Sequence, residues 1–270
     1  MPIRNFTLHA HPAPRAGGHP PLLFVHGAYT HSLCWMPNFV PYFQARGFDC
    51  YTLDLSGHGA DADRASLHEL GLDDYAEDLA EAVATLPALP ILIGHSMGSL
   101  VVQRYLTSGR AAGLALLSPV PPTGTSGSAA RLALTCPEFF AELPRVTSGQ
   151  PTARGLEVMA RVYFSPEMSP DAVLACLPMI QEESELAVAQ MAALAFQPAG
   201  HRPDIPALVM GGREDAVFPP SMLFFTALAW RARQVVVEGA GHMLMLDPQW
   251  EQAARALAEW AEGVPPVPRG

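Results

Sequence analysis

Apolar residues along this chain follow two alternating rhythms. Short, mainly apolar runs fall at residues 22–25, 50–54, 89–93, 114–117, 207–210 and 234–237, with a weaker opening run at 7–9. Between them, apolar positions recur every three or four residues, as on one face of a helix. The periodicity predicts helices over 35–46, 73–86, 99–106, 219–230 and 248–261. Acids near the start of the second of these suit a helix dipole. Runs without polar alternation belong to strands covered on both sides. Strand and helix in strict turn therefore predict an α/β fold, a mostly parallel central sheet with helices on both faces.

Residues 121–200 break this rhythm. They open on the loop Pro121-Pro122-Thr123-Gly124-Thr125-Ser126-Gly127-Ser128, continue with helical patterning and return through Pro198-Ala199-Gly200-His201-Arg202-Pro203. We read 1–120 and 201–270 as two parts of one core, and 121–200 as an inserted helical cap. Met159, Met168, Met179, Met191, Phe139, Phe140, Tyr163, Phe164 and Phe196 give this segment an apolar character. At helical spacing such residues form ordinary core, or line an apolar pocket.

Composition removes several classes of function. The 270 residues are 49% hydrophobic and carry a formal net charge of -10. An acidic chain gains nothing from counterion release at phosphates, so nucleic acid is not an expected partner. All 16 cations are arginine, so no side-chain amine can form a Schiff base. Cys34, Cys50, Cys136 and Cys176 form no C-x-x-C pair. They read as free thiols of a reducing compartment, with no metal site expected. No stretch is long and apolar enough for a leader or a membrane span, so a cytoplasmic protein is expected. The sequence sets no oligomeric state.

The most informative chemistry is Gly94-His95-Ser96-Met97-Gly98, a G-x-S-x-G turn between a strand and a helix. The glycines relieve crowding at a sharp turn that presents the serine hydroxyl. Serine is a weak nucleophile and needs a base, which in turn needs an orienting acid. Downstream, Asp215 follows the strand at 207–210, and His242 follows the strand at 234–237. Glu214 is the competing acid. The backbone N–H of Met97, after the nucleophile, and that of Ala28, after the strand at 22–25, are the expected oxyanion donors. Gly27, Tyr29 and His95 are expected to border the substrate.

Together these residues resemble the α/β-hydrolase-fold superfamily, and within it the cap-bearing serine esterase and lipase group. The resemblance rests on His26-Gly27, Asp54-Leu55-Ser56-Gly57-His58-Gly59, Gly94 to Gly98, Gly211 to Asp215, and Gly241-His242. It implies a Ser96–His242–Asp215 triad and a structural role for the turn at 54–59, without His58 as a catalytic residue. It also implies hydrolysis of a small carboxylic ester without a cofactor. Serine at position 96 argues against superfamily members with an aspartate nucleophile. The absence of lysine argues against the lyases that place one beside the histidine. A thioesterase or lactonase with the same triad stays open, as does a non-catalytic binding protein on this fold.

Overall fold

The computed structural model describes residues 2–60, 62–194 and 202–268. Among them, seven strands form one sheet: β1 (Thr7–His11), β2 (Leu22–Val25), β3 (Cys50–Asp54), β4 (Ile91–His95), β5 (Gly113–Leu117), β6 (Ala207–Gly212) and β7 (Arg233–Val237). Their order is β1-β3-β2-β4-β5-β6-β7. β1 runs antiparallel to β3, and every other neighbouring pair is parallel. β1 is an edge strand with no fully buried residue, which explains its faint apolar signal.

Helices α1 (Phe39–Gln44), α2 (Leu72–Thr85) and α3 (Met97–Tyr105) connect the early strands. Among the described residues, five α-helices lie between β5 and β6: α4 (Ser126–Thr135), α5 (Glu138–Thr147), α6 (Ala153–Tyr163), α7 (Pro170–Ala175) and α8 (Glu185–Ala192). Then α9 (Pro220–Trp230) joins β6 to β7, and α10 (Trp250–Ala261) closes the fold. The helix expected over 35–46 is split. A 3-10 turn covers Ser32–Trp35, and α1 starts only at Phe39. Pro37, which offers no N–H, lies between them, and the backbone leaves the helical region at Asn38 (φ -130°, ψ -59°), after a Met36 that is still helical.

Successive strand residues feed opposite faces of the sheet. Leu22, Phe24, Ile91, Ile93, Ala115, Leu117, Leu208 and Met210 join one core with Phe39 and Phe43 of α1 and Leu257 of α10. Leu23, Val25, Leu92, Leu114, Leu116 and Val209 join the other with Tyr75 and Leu79 of α2, Val101 of α3 and Leu223 of α9. That double coverage is why the strands read as continuous apolar runs. The segment between β5 and β6 has a small core of its own, in which Leu132, Phe139, Val146, Val158 and Met159 meet. Phe140 is exposed instead. Phe196 and the return through 198–201 lie outside the described residues.

Two close approaches lock α3 onto the sheet. A Cβ at Gly98 would lie 2.4 Å from the His26 carbonyl oxygen and 2.5 Å from that of Val25. A Cβ at Gly94 would lie 2.5 Å from the Gly98 carbonyl oxygen. The obstacles are backbone atoms, which cannot swing aside as a side chain can. Beside this contact, the buried His26 ring joins the ends of β2 and β3. Its Nδ1 donates to the Gly27 carbonyl (2.8 Å), and its Nε2 accepts from Leu55 N–H (3.2 Å). Burial, reinforced by the nearby His58, lowers its pKa to about 4. Burial likewise holds His95, at the end of β4, well below the usual imidazole range.

Gly98→Ala is expected to lower the unfolding free energy by about 1–3 kcal/mol, the usual cost of overpacking, as read by denaturant titration. The histidines predict an acid limb. The unfolded chain protonates near pH 6.5 and the folded His26 only near pH 4. Stability should therefore fall as pH drops through that interval, by up to roughly 3 kcal/mol from His26. Unfolding titrations at pH 6.5, 5.5 and 4.5 measure it, and a flat profile contradicts the neutral buried ring.

Candidate active site

Ser96 occupies the turn between β4 and α3 with φ +50° and ψ -117°. A non-glycine residue rarely adopts such backbone, and it persists only where the surroundings enforce it. Here they do. Ser96 N–H donates to the Leu117 carbonyl of β5 (3.0 Å), and the Gly94 and Gly98 contacts grip both sides of the turn. Ser96 is partly accessible between the buried His95 and Met97. Gly27 lies against it, since a Cβ on Gly27 would come within 3.0 Å of Ser96 Cβ and 2.8 Å of His95 Nδ1.

Asp215 and His242 come from the loops after β6 and β7. His242 Nδ1 donates to Asp215 Oδ2 at 2.9 Å, with both side chains buried. The other carboxylate oxygen, Oδ1, accepts from the N–H groups of Val217 (2.8 Å) and Phe218 (2.7 Å). Asp215 is thus held as an acceptor, and His242 Nε2 is left as the ring atom free for other work. Glu214 is exposed, and its N–H donates to Ala240 O. It is not the acid beside the histidine. The two loops can lie this close because position 212 is glycine. A Cβ there would sit 2.2 Å from Ala240 O.

Aromatic rings enclose His242: His95 at 4.9 Å, Phe218 at 5.4 Å and Tyr163 at 5.8 Å between centroids. His95 does more than fill space. Its Nε2 donates to the His242 carbonyl at 3.1 Å, which ties the histidine loop to the residue beside Ser96. Its Nδ1 is buried without a partner among the described residues. Among the described residues, no hydrogen bond joins Ser96 to His242. The N–H groups of Ala28 and Met97 also donate to no other residue among those described. Met97 is fully buried, so its unpaired N–H marks a place where an acceptor is wanted. Tyr29, next to Ala28, has φ +63°.

A cavity of about 60 Å³ opens beside this loop. Ala28, Tyr29 and Thr30 form one wall, and Met243 and Leu246 another. The rest comes from the segment between β5 and β6, including Leu143, Val146, Leu156, Met159, Tyr163 and Phe164. Ser96 and His242 are not part of its wall; Met243 is the nearest neighbour in sequence. The lining is almost wholly apolar. Of the Met and aromatic residues singled out in this segment, Met159, Tyr163, Phe164 and Met179 line the cavity, while Phe139 and Met191 are core.

The sequence did not single out two buried acids nearby. Asp247 accepts from Gly241 N–H (3.0 Å), Ser165 N–H (2.8 Å) and Ser165 Oγ (3.0 Å), fastening the histidine loop to the end of α6. A lone acid after the apolar Leu244-Met245-Leu246 was a readable hint. Glu183 pairs with His58 at 3.1 Å, with both side chains fully buried. It stands in the acidic run Glu182-Glu183-Ser184-Glu185, which looks like a solvated face and hides it. The turn at 54–59 is held as expected of a structural element: Asp54 accepts from Ser32 N–H (2.7 Å) and from His9 Nε2 (2.9 Å).

The four cysteines are buried and unlinked. No group of three or more potential metal ligands occurs among the described residues. No described helix is long and apolar enough to cross a membrane.

Comparison with known proteins agrees with this architecture. An esterase of Thermogutta terrifontis superposes with a TM-score of 0.72 at 22% identity, covering 97% of this chain and 94% of that one. A bromoperoxidase of Bacillus anthracis gives 0.75 at 19% identity, covering 96% of both chains. The enol-lactonase of Burkholderia xenovorans LB400 gives 0.71 at 17%, covering 94% and 96%. Identities this low establish a shared fold only. A pyrethroid hydrolase of Sphingobium wenxiniae is 31% identical over 77 residues, which span 28% of this chain and 27% of that protein. The sequence model of the alpha/beta hydrolase family matches residues 22–259. With that match over nearly its whole length, the chain belongs to the alpha/beta hydrolase family.

Proposed function

We propose that this protein is a serine hydrolase of small carboxylic esters with an apolar acyl or aromatic part. The observation that carries the reading is the buried His242–Asp215 hydrogen bond, set beside a serine held in left-handed backbone. Ser96 is the nucleophile. As the substrate carbonyl enters, Ser96 Oγ closes to hydrogen-bond distance of His242 Nε2; such bonds are often loose before substrate arrives. His242 takes the proton as Oγ attacks. Asp215 fixes the tautomer with hydrogen on Nδ1 and stabilises the imidazolium.

The carbonyl oxygen becomes an oxyanion, and the N–H groups of Ala28 and Met97 donate to it without reorganising. His242 then delivers its proton to the leaving alcohol. Water enters, gives a proton to His242 and cleaves the acyl-enzyme by the same route. No cofactor takes part in this cycle. Gly27, Tyr29 and His95 border the reacting centre: Gly27 by its closeness to Ser96, Tyr29 in the cavity wall, and His95 beneath the histidine loop. Helices α4–α8 act as a cap, and their contribution to the cavity gives the acyl group an apolar seat. The cavity is far smaller than the several hundred Å³ typical of ligand sites. Longer acyl groups therefore need its side chains or helices to move apart. Thioesters and lactones pass through the same tetrahedral chemistry and belong in the same assay.

Hydrolysis of p-nitrophenyl esters by wild type is the direct test, with thioesters and lactones alongside. Ser96→Ala should lose at least ~10³-fold in kcat, and Asp215→Asn about 10³–10⁴-fold with the fold intact. Full activity in Ser96→Ala sinks the nucleophile assignment. Leu156→Trp should fill the cavity and lower kcat/KM for long acyl chains relative to acetyl by roughly tenfold or more. An unchanged ratio means that the acyl group lies elsewhere.

A further inference from the structure

The loop that carries Ala28 is held from outside the triad. Tyr29 keeps a left-handed backbone without being glycine. Its N–H reaches Glu183 Oε2 at 3.4 Å, and its carbonyl accepts from Gln181 N–H at 3.0 Å. Thr30, the next residue, pairs with Ile180 as an isolated antiparallel bridge. Residues 180–183, between α7 and α8, thus grip this loop along its backbone.

Glu183 is the anchor of that grip. Oε2 also accepts from His58 Nε2 at 3.1 Å, while Oε1 accepts from Tyr75 OH (2.9 Å) and Ser184 N–H (2.8 Å). His58 Nδ1 donates to the Ser56 carbonyl at 3.1 Å. Both ring nitrogens face acceptors, and although burial works against the charge, Glu183 outweighs it and raises the His58 pKa, which favours an imidazolium facing a carboxylate in the interior. A buried ion pair contributes less to stability than apolar packing of the same volume would. What this one supplies is a fixed point. It joins β3's exit turn, α2, the cap segment and the loop after β2 at a single carboxylate.

We propose that Glu183 is a positioning residue for the oxyanion loop. It holds Tyr29 in left-handed backbone so that the Ala28 N–H stays available beside Ser96. The catalytic half of this inference rests on the serine-hydrolase reading above; the structural half does not. Glu183 touches no reacting atom. Its loss should leave ground-state binding nearly intact while weakening transition-state stabilisation.

Glu183→Gln keeps the volume but removes the charge and one accepting oxygen. Amide hydrogen exchange over residues 27–31 should accelerate at least ~10-fold, with exchange in β4 unchanged. For p-nitrophenyl esters kcat should fall ~10-fold or more, while KM stays within about 3-fold. Unchanged exchange over 27–31 overturns the proposal, and so does an unchanged kcat in an enzyme shown to need Ser96. If Glu183→Gln does not fold, Tyr75→Phe removes a single donor to Glu183. It should shift exchange and kcat in the same directions by about 2–3-fold, and no shift in either overturns the proposal. Wild type without Ser96-dependent hydrolysis would defeat the hydrolase reading and leave the exchange measurement to decide this one.

Discussion

Everything at this site depends on backbone touching backbone where α3 meets the end of β2. Gly98 lies so close to the Val25 and His26 carbonyl oxygens that no side chain fits between them. Gly94 and Gly98 approach each other in the same way. The turn between them is therefore tight, and Ser96 takes the strained conformation that the tightness imposes. The same contact brings the loop after β2 alongside the start of α3. Two N–H groups from different elements, Ala28 and Met97, are thereby left near one serine without partners among the described residues. The surrounding sheet, covered on both faces, holds this strain in place.

The segment between β5 and β6 reaches loops on both sides of Ser96. Tyr163 O accepts from Met243 N–H, and Ser165 shares Asp247 with Gly241, so the end of α6 holds the His242 loop. On the other side, Pro178 O accepts from His31 Nε2, and residues 180–183 grip Tyr29 and Thr30. The segment that lines the apolar cavity is thus bonded to both loops that flank Ser96. On the proposed function, movement that admits a large acyl group would also act on the loops that carry Ala28 and His242. Substrate fit and catalytic geometry are then properties of one connected body.

Much of this was legible in the sequence, for physical reasons. β2, β4, β5 and β6 read cleanly because they are buried on both faces. Ser96 and Asp215 stood out because each follows such a strand, and His242 because it follows the apolar Val235-Val236-Val237 of the less buried β7. β1 was faint because an edge strand buries little. The helix expected over 35–46 failed at Pro37, where periodicity continued but the hydrogen-bond ladder could not. Glu183 was hidden because an acid among acids looks solvated, and its partners Tyr29, His58 and Tyr75 lie far away in sequence. Pairings across more than a hundred residues leave no local trace. Asp247 was closer to readable, as a lone charge ending an apolar run.

On the proposed function, Ser96 is an activated nucleophile served by His242 and Asp215. Labelling with a fluorophosphonate, followed by peptide mass mapping, tests it most directly because it needs no knowledge of the natural substrate. One adduct is expected, on Ser96, formed rapidly in wild type and slowed by at least ~10²-fold in His242→Ala. No adduct in folded wild-type protein, an adduct on another residue, or equal labelling of the His242→Ala variant would contradict it.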